Sequence, residues 1–143
     1  MTASFFARVL VTTVSAGQGI TPLFVDLNRT HATNPLWTGH ARFHVVDQTI
    51  VMALLATVEV ALLWWIAPGS QLTFYLATLL TAAPISGFLI ATFTRRFYGG
   101  TLRDPNGVPA MRLRLGGRPS EIDVNVVVVS TGAAILLIAI LIF

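Results

Sequence analysis

Two histidines and an aspartate share one face of a predicted helix, and they are the residues of this sequence best suited to chemistry. His40, His44 and Asp47 follow one another at steps of four and three residues. On an α-helix these steps span about 60° of arc, with Gln48 beside them. Imidazole and carboxyl groups exchange protons near neutral pH. The pattern therefore predicts an acid–base site.

A second carboxyl group, that of Asp26, ends a polar seam on the first apolar stretch. The seam repeats at steps of four and three residues through Arg8, Thr12, Ser15, Gly19, Pro22 and Asp26. Polar residues inside a membrane face the bundle interior or a cavity, because lipid offers them no hydrogen-bond partners. We therefore predict a catalytic set in which Asp26 and Asp47 are acids or cation-stabilising groups and His44 is a proton relay.

Further polar residues are candidates for binding a ligand beside this set. Pro84 should kink the third helix and leave room next to it. The predicted binding residues are His40, Gln48, Gln18, Ser86 and Asn125.

Arg8 and Glu59 are predicted to form a structural ion pair. Asp26 lies about 27 Å along one helix from Arg8, and His40 lies about 28 Å along the next helix from Glu59. If Asp26 and His40 are level in an antiparallel hairpin, then Arg8 and Glu59 are level too. Pairing lowers the cost of holding two charges near lipid.

Other interpretations of the polar cluster stay open. His40, His44 and Asp47 could bind a metal ion or haem, with His31 as a further ligand, since His-x-x-x-His places two imidazoles on one helix face. The cluster could also only satisfy its own hydrogen bonds near the headgroups. The site prediction itself includes no metal and no cofactor.

The composition requires a membrane. Hydrophobic residues make up 55% of the chain, charged residues only 10%, and the mean hydropathy is +0.76. Four apolar stretches each reach the roughly 20 residues that a spanning helix needs. The sequence predicts an all-α integral membrane protein, a bundle of four transmembrane helices in a single domain, 1–143. The predicted helices are about 4–26, 38–66, 71–97 and 123–143.

The long connection between the third and fourth predicted helices favours a short β-hairpin. Asp104-Pro105-Asn106-Gly107 is a strong turn signal. It separates Thr101-Leu102-Arg103 from residues 111–115, where apolar and Arg residues alternate. The hairpin would form a lid on the cytoplasmic face, or an Arg-rich flap held to anionic lipid headgroups.

The arginines predict the orientation. Eight of the nine arginines lie in, or at the helix ends next to, the two connections that share one end of a four-helix bundle, and only Arg8 lies toward the other end. Positive charge favours the cytoplasmic side. We expect a multi-pass cell-membrane protein with cytoplasmic Arg-rich loops and both termini outside.

The run from Ile20 to Leu27 resembles the end of the first helix in the EXPERA group of membrane proteins, which includes the sterol isomerase emopamil-binding protein and the sigma-2 receptor. Asn34-Pro35-Leu36-Trp37 is similar to the segment that opens the second helix there, ahead of an acidic residue. The resemblance implies a cavity that binds or isomerises a sterol-like molecule, and it carries over to Asp26 and more loosely to Asp47. His44 stands close to where the second acid is expected. The chain also resembles small bacterial four-helix membrane proteins of unassigned function.

The sequence therefore predicts a membrane-embedded site for an apolar lipid-, sterol- or terpene-like molecule, with acid–base chemistry of the isomerase or cyclase type. The predicted partners are membrane lipids and an apolar small molecule, with a possible homodimer and no nucleic acid. A non-catalytic membrane subunit or ligand-binding protein is the alternative, and its polar seam would pack against a partner chain.

Overall fold

The computed structural model describes residues 2–143 and is mostly helical. Three of the helices, α2, α3 and α4, are long and apolar enough to cross a membrane, and a small two-stranded sheet precedes the last one. The helices are α1 (Ala3–Val25), α2 (Gly39–Trp64), α3 (Gln71–Thr94) and α4 (Val124–Ile142), and the strands are β1 (Met111–Leu115) and β2 (Arg118–Ile122).

Helix α1 differs from the other three because it is not among the helices that are apolar enough over a long segment to cross a membrane. Its 23 residues extend over about 34 Å, yet Arg8, Gln18 and several hydroxyl-bearing residues lower its apolar character. Instead of facing lipid all round, α1 contacts each of the other helices. Val11 on this helix is completely buried.

Helix α1 approaches α2 closely at Gly19. A Cβ placed on Gly19 would lie 2.5 Å from the Cβ of Ala56 on α2, so the two backbones meet where a larger residue would not fit. One turn earlier, Ser15 is also completely buried. Small residues allow such close packing of helices in lipid.

At one end of the bundle, apolar packing continues to the last residue of the chain. The rings of Phe74 and Phe143 stack with their centroids 3.6 Å apart, and Phe74 is fully buried. At the other end, Asp123 caps α4 by accepting hydrogen bonds from the backbone N–H groups of Asn125 and Val126. This cap satisfies amide groups that have no partner within the helix.

The predicted β-hairpin is confirmed in part: residues 111–115 form a strand, but residues 101–103 do not, and the partner strand is β2. The turn Asp104–Gly107 is therefore not the turn of this hairpin. Strands β1 and β2 are antiparallel, with Met111 opposite Ile122 and Leu115 opposite Arg118. The two residues that join them, Gly116 and Gly117, have φ angles of +57° and +80°. Glycine adopts these angles without strain, as a tight hairpin turn requires.

Candidate functional site

A groove of about 440 Å³ opens between α1, α3 and α4. Its walls are mostly apolar, and Pro84 and Ile85 of α3 form one side of it. The groove thus lies beside the proline expected to make room in the third helix. Its lining residues are Thr13, Val14, Gly17, Gln18, Thr21, Pro22, Val25, Asp26, Pro84, Ile85, Asn125, Val127, Val128, Val129, Thr131, Gly132 and Ile135.

Three of the predicted site residues line this groove together. Asp26 follows the last residue of α1, and Asn125 lies in the first turn of α4. Both therefore lie at the end of the groove where these helices meet the loops. Gln18 lies eight residues before Asp26, about 12 Å deeper along α1. The groove has polar groups at its loop end and a long apolar body.

Asp26 has one charged partner, which the site prediction did not include. The Nδ1 atom of His31 lies 3.5 Å from the Asp26 carboxylate, and the side chains are 23% and 30% exposed. Burial raises the pKa of the Asp26 carboxyl group, while the neighbouring His31 acts in the opposite direction. This carboxyl group is therefore easier to protonate than one in water.

The other half of the predicted catalytic set does not reach the groove. His44 and Asp47 are exposed on α2, which contributes no residue to the groove lining. The structure thus separates Asp26 from these two side chains. The predicted binding residues His40, Gln48 and Ser86 are also exposed and lie outside the lining.

The predicted ion pair between Arg8 and Glu59 is not formed among the residues that the structure describes. Glu59 is only 2% exposed, and its carboxyl group lies 3.0 Å from the hydroxyl group of Thr81 on α3. Arg8 extends instead toward the α2–α3 turn, where its Nη2 atom would lie 3.6 Å from a Cβ placed on Gly69. The two side chains are therefore directed to different neighbours, which depth along the helices alone could not reveal.

Gln18 connects the groove to this buried polar layer. Its side-chain amide donates a hydrogen bond of 3.1 Å to the backbone carbonyl of Thr81, across the α1–α3 contact. The Thr81 hydroxyl group lies 2.8 Å from the Ala77 carbonyl and also contacts Glu59. Gln18 is thus held in place by α3, which fixes one wall of the groove.

A second polar assembly, which sequence reasoning missed, joins the two long connections. Asn34 is completely buried, and its amide group donates to Asp104 at 3.1 Å. The indole N–H of Trp37 donates to the same carboxylate at 2.8 Å, and the Asn106 side-chain amide donates to the Asn34 oxygen at 3.3 Å. We refer to Asn34, Trp37, Asp104 and Asn106 as the loop junction. Its signal in the sequence was the pair of segments NPLW and DPNG.

The loop junction has an electrostatic consequence for Asp104. The hydrogen bonds from the Trp37 indole and the Asn106 backbone N–H lower the pKa of the Asp104 carboxyl group, and this outweighs the effect of burial. Hydrogen bonds to a carboxylate favour its charged form. Because the junction joins residues 34–37 to residues 104–106, both Arg-rich connections lie at the same end of the bundle.

The remaining candidate chemistry lies on the outer face of α2. The Nε2 atoms of His40 and His44 are 3.1 Å apart. Within residues 2–143, no group of three or more His, Cys, Asp or Glu side chains is arranged to hold a metal ion. The metal alternative with three ligands, His40, His44 and Asp47, is therefore not assembled.

No protein-family model matches this chain, and neither a curated protein nor a solved structure matches it. The groove and its polar end must therefore be interpreted from their own chemistry. An open apolar groove with a carboxyl group and a carboxamide at one end can hold a long apolar body and hydrogen-bond a polar head.

Proposed function

We propose that this chain binds one apolar, lipid-like molecule in the groove between α1, α3 and α4. The apolar body lies against the valines of α4 and the α1–α3 wall, and the polar head lies against Asp26 and Asn125. The observation that carries the proposal is the groove itself, with its polar groups at one end. Its volume of about 440 Å³ lies within the range of ligand sites, about 300–1,000 Å³.

The chemistry of the loop end favours a head group that donates hydrogen bonds. A carboxylate accepts hydrogen bonds, and a carboxamide both accepts and donates them. A hydroxyl or amine head, as in a sterol, an isoprenoid alcohol or a sphingoid-type base, suits both Asp26 and Asn125. A phosphate head does not, because the Asp26 carboxylate would repel it.

The polar seam of α1 supports ligand binding over the alternative of a subunit that packs against a partner chain. Much of that seam is already used within this chain. Gly19 packs against Ala56 of α2, and the Thr12 hydroxyl group accepts a hydrogen bond of 2.8 Å from the Trp64 indole. The seam therefore needs no other chain to explain it.

Catalysis is a narrower proposal than binding. His44 and Asp47 lie away from the groove, so any proton transfer to a bound molecule would depend on Asp26 and its partner His31. A partly buried carboxyl group whose pKa is raised is suited to donate a proton. We place an isomerase- or cyclase-type reaction second to binding, because general acid–base catalysis uses groups within reach of the substrate.

We further propose that α1 crosses the membrane with the other three helices, so that the chain spans four times. Its length of about 34 Å suffices, and its polar side chains are directed to neighbouring helices and to the groove. The positive-inside rule places the end that carries eight of the nine arginines in the cytoplasm. The groove then opens to the cytoplasmic half of the bilayer.

Gly17 offers a direct test of ligand binding. It lines the groove, and nothing lies within 4 Å of a Cβ placed on it. A side chain at this position begins in open space, so Gly17→Leu should narrow the groove. With the protein in lipid nanodiscs, we expect labelling by photoreactive, alkyne-tagged sterol and farnesol probes to fall about tenfold, as overpacking a site by 1–3 kcal/mol implies.

Gly87→Leu is the matched control. Gly87 lies on α3 outside the groove lining, is also exposed, and likewise has nothing within 4 Å of a Cβ placed on it. Its labelling should equal that of the wild type, and the labelled peptides should map to α1, α3 and α4. Equal labelling of the Gly17→Leu and wild-type proteins, or labels confined to the lipid-facing side of α2, would refute the proposal.

A further inference from the structure

The histidine pair on α2 is arranged as a chelate, and it is independent of the groove. His40 and His44 lie one helical turn apart on an exposed face. Their rings meet nearly edge to face, with centroids 4.4 Å apart and an interplanar angle of 78°. The two Nε2 nitrogens are 3.1 Å apart, so each imidazole presents the same ring nitrogen to the other.

This separation is the one that a single metal ion requires. Imidazole nitrogen binds Zn²⁺ at about 2.0–2.1 Å. Two nitrogens 3.1 Å apart at that bond length enclose an angle of about 98° at the metal. This angle lies between that of a square-planar and that of a tetrahedral site, so the spacing of the two nitrogens suits one ion once the rings turn their Nε2 lone pairs toward it.

We propose that His40 and His44 form a binding site for a divalent transition-metal ion, with both Nε2 atoms as ligands and water at the remaining positions. In the metal-free protein, one imidazole donates its hydrogen to the other. The ion takes the place of that hydrogen, and the imidazole that donated it binds as the tautomer with its hydrogen on Nδ1, so that both ligands are neutral imidazoles. Two ligands leave open coordination positions, which is the arrangement of a reactive or exchangeable site and not of a closed structural one.

The two imidazole ligands determine which divalent metal ion binds most tightly at this site. Imidazole suits Zn²⁺, Ni²⁺ and Cu²⁺, and for a nitrogen site the order of stability places Cu²⁺ first. The charged side chains nearest in sequence are Arg42 and Asp47, one of each sign, so no net local charge opposes the ion. The third histidine, His31, is occupied elsewhere, since its Nδ1 atom lies 2.7 Å from the Thr30 hydroxyl group and 3.5 Å from Asp26.

The test uses the full chain without a polyhistidine tag, purified in detergent and titrated with Cu²⁺ near neutral pH. Electron paramagnetic resonance should show one Cu²⁺ per chain with two imidazole nitrogens, and calorimetry should give the affinity. We expect His40→Ala and His44→Ala each to weaken Cu²⁺ binding at least tenfold. Because the two residues are exposed, the variants should keep the wild-type helical content by circular dichroism.

His31→Ala is the control, since it removes a histidine that is not part of the pair. It should bind Cu²⁺ as the wild type does. An unchanged affinity in the double variant His40→Ala/His44→Ala would overturn the proposal. So would one Cu²⁺ per two chains with four imidazole nitrogens, since that result assigns the ion to a bridge between copies and not to a site on one chain.

Discussion

Two pairs of the same residue types, each an asparagine and an aspartate, lie at the loop end of the bundle in opposite environments. In the loop junction, Asn34 and Asp104 contact each other directly and accept or donate several further hydrogen bonds. At the groove, Asn125 is exposed, and its side chain has no hydrogen-bond partner among the described residues. In the part of the chain that the structure describes, the Asp26 carboxyl group has the His31 imidazole as its one ionisable partner.

The difference in hydrogen bonding between the two pairs distinguishes polar residues that stabilise the fold from polar residues that are available to a ligand. Buried polar groups are retained at little cost when they satisfy one another, as the loop junction does. Polar groups left at the edge of an apolar groove gain nothing from the fold. They are therefore available to a ligand, and changes there should affect binding more than stability.

The largest expected effect comes from removing the buried asparagine of the loop junction. Asn34→Ala leaves the Leu36 backbone N–H without its acceptor and the Asp104 carboxylate without one of its donors. The Asn34 side chain makes four hydrogen bonds, each of which contributes about 0.5–1.5 kcal/mol. We therefore expect unfolding in detergent to become easier by about 2–3 kcal/mol. Denaturant titration followed by circular dichroism measures this change.

Asn125→Ala is the matched substitution at the groove. It removes the same side chain from an exposed position, so its effect on the free energy of unfolding should stay within about 0.5 kcal/mol. Labelling of the Asn125→Ala variant by the sterol and farnesol probes should fall. Labelling of the Asn34→Ala variant, measured at a temperature at which that variant is folded, should not fall. Equal destabilisation by the two variants would remove the distinction between the regions.

Local signals in the sequence were sufficient to predict the helical elements and one strand of the hairpin. Apolar length predicted the four helices, and the alternation in 111–115 predicted strand β1. The turn signal Asp104–Gly107 gave the wrong partner strand, because the observed hairpin turns at Gly116–Gly117. These features depend on residues close together in the chain. The contact between Asn34 and Asp104 joins residues 70 positions apart, and no local pattern encodes such a partner.

The predicted site failed in part because helix phase alone does not say which face is inside. The close contact of Gly19 with Ala56 fixes the rotation of α2. The buried Thr49 then faces inward, and Asp47, two residues earlier, lies about 160° away around the helix. Periodicity grouped His40, His44 and Asp47 on one face, and the structure places that face outside the bundle.

A smaller effect on the free energy of unfolding is expected from two threonines, one of which is hydrogen-bonded within the fold while the other lines the groove. The Thr30 hydroxyl group lies 3.0 Å from the Val25 carbonyl and 2.8 Å from the Asn28 side chain. Thr21 lines the groove, and no hydrogen bond of its side chain is found among the described residues. Thr30→Val should cost about 1 kcal/mol, and Thr21→Val less than about 0.5 kcal/mol, by the same denaturant titration. The reverse order would contradict the comparison.

The smallest expected effect is the contribution of the Asp104 and Asp26 carboxyl groups to the pH dependence of stability. The two contributions should have opposite signs. The pKa of Asp104 is lowered from 3.8 by its hydrogen bonds. Its contribution to stability is therefore present above pH 3.8 and is lost as the pH falls through the lowered value. Asp104→Asn should flatten this loss in acid.

Asp26 should show the opposite behaviour, because burial raises its pKa from 3.8. The folded protein then holds this proton more tightly than the unfolded chain, so stability decreases as the pH rises from 3.8 through the raised value. Asp26→Asn removes that decrease and should be at least as stable as the wild type at neutral pH, whereas Asp104→Asn should be less stable. Unfolding curves over a pH series measure both variants. If the two substitutions changed the pH dependence in the same direction, the groove carboxyl group would be as fully satisfied as that of the loop junction, and Asp26 would have no capacity left for a ligand's head group.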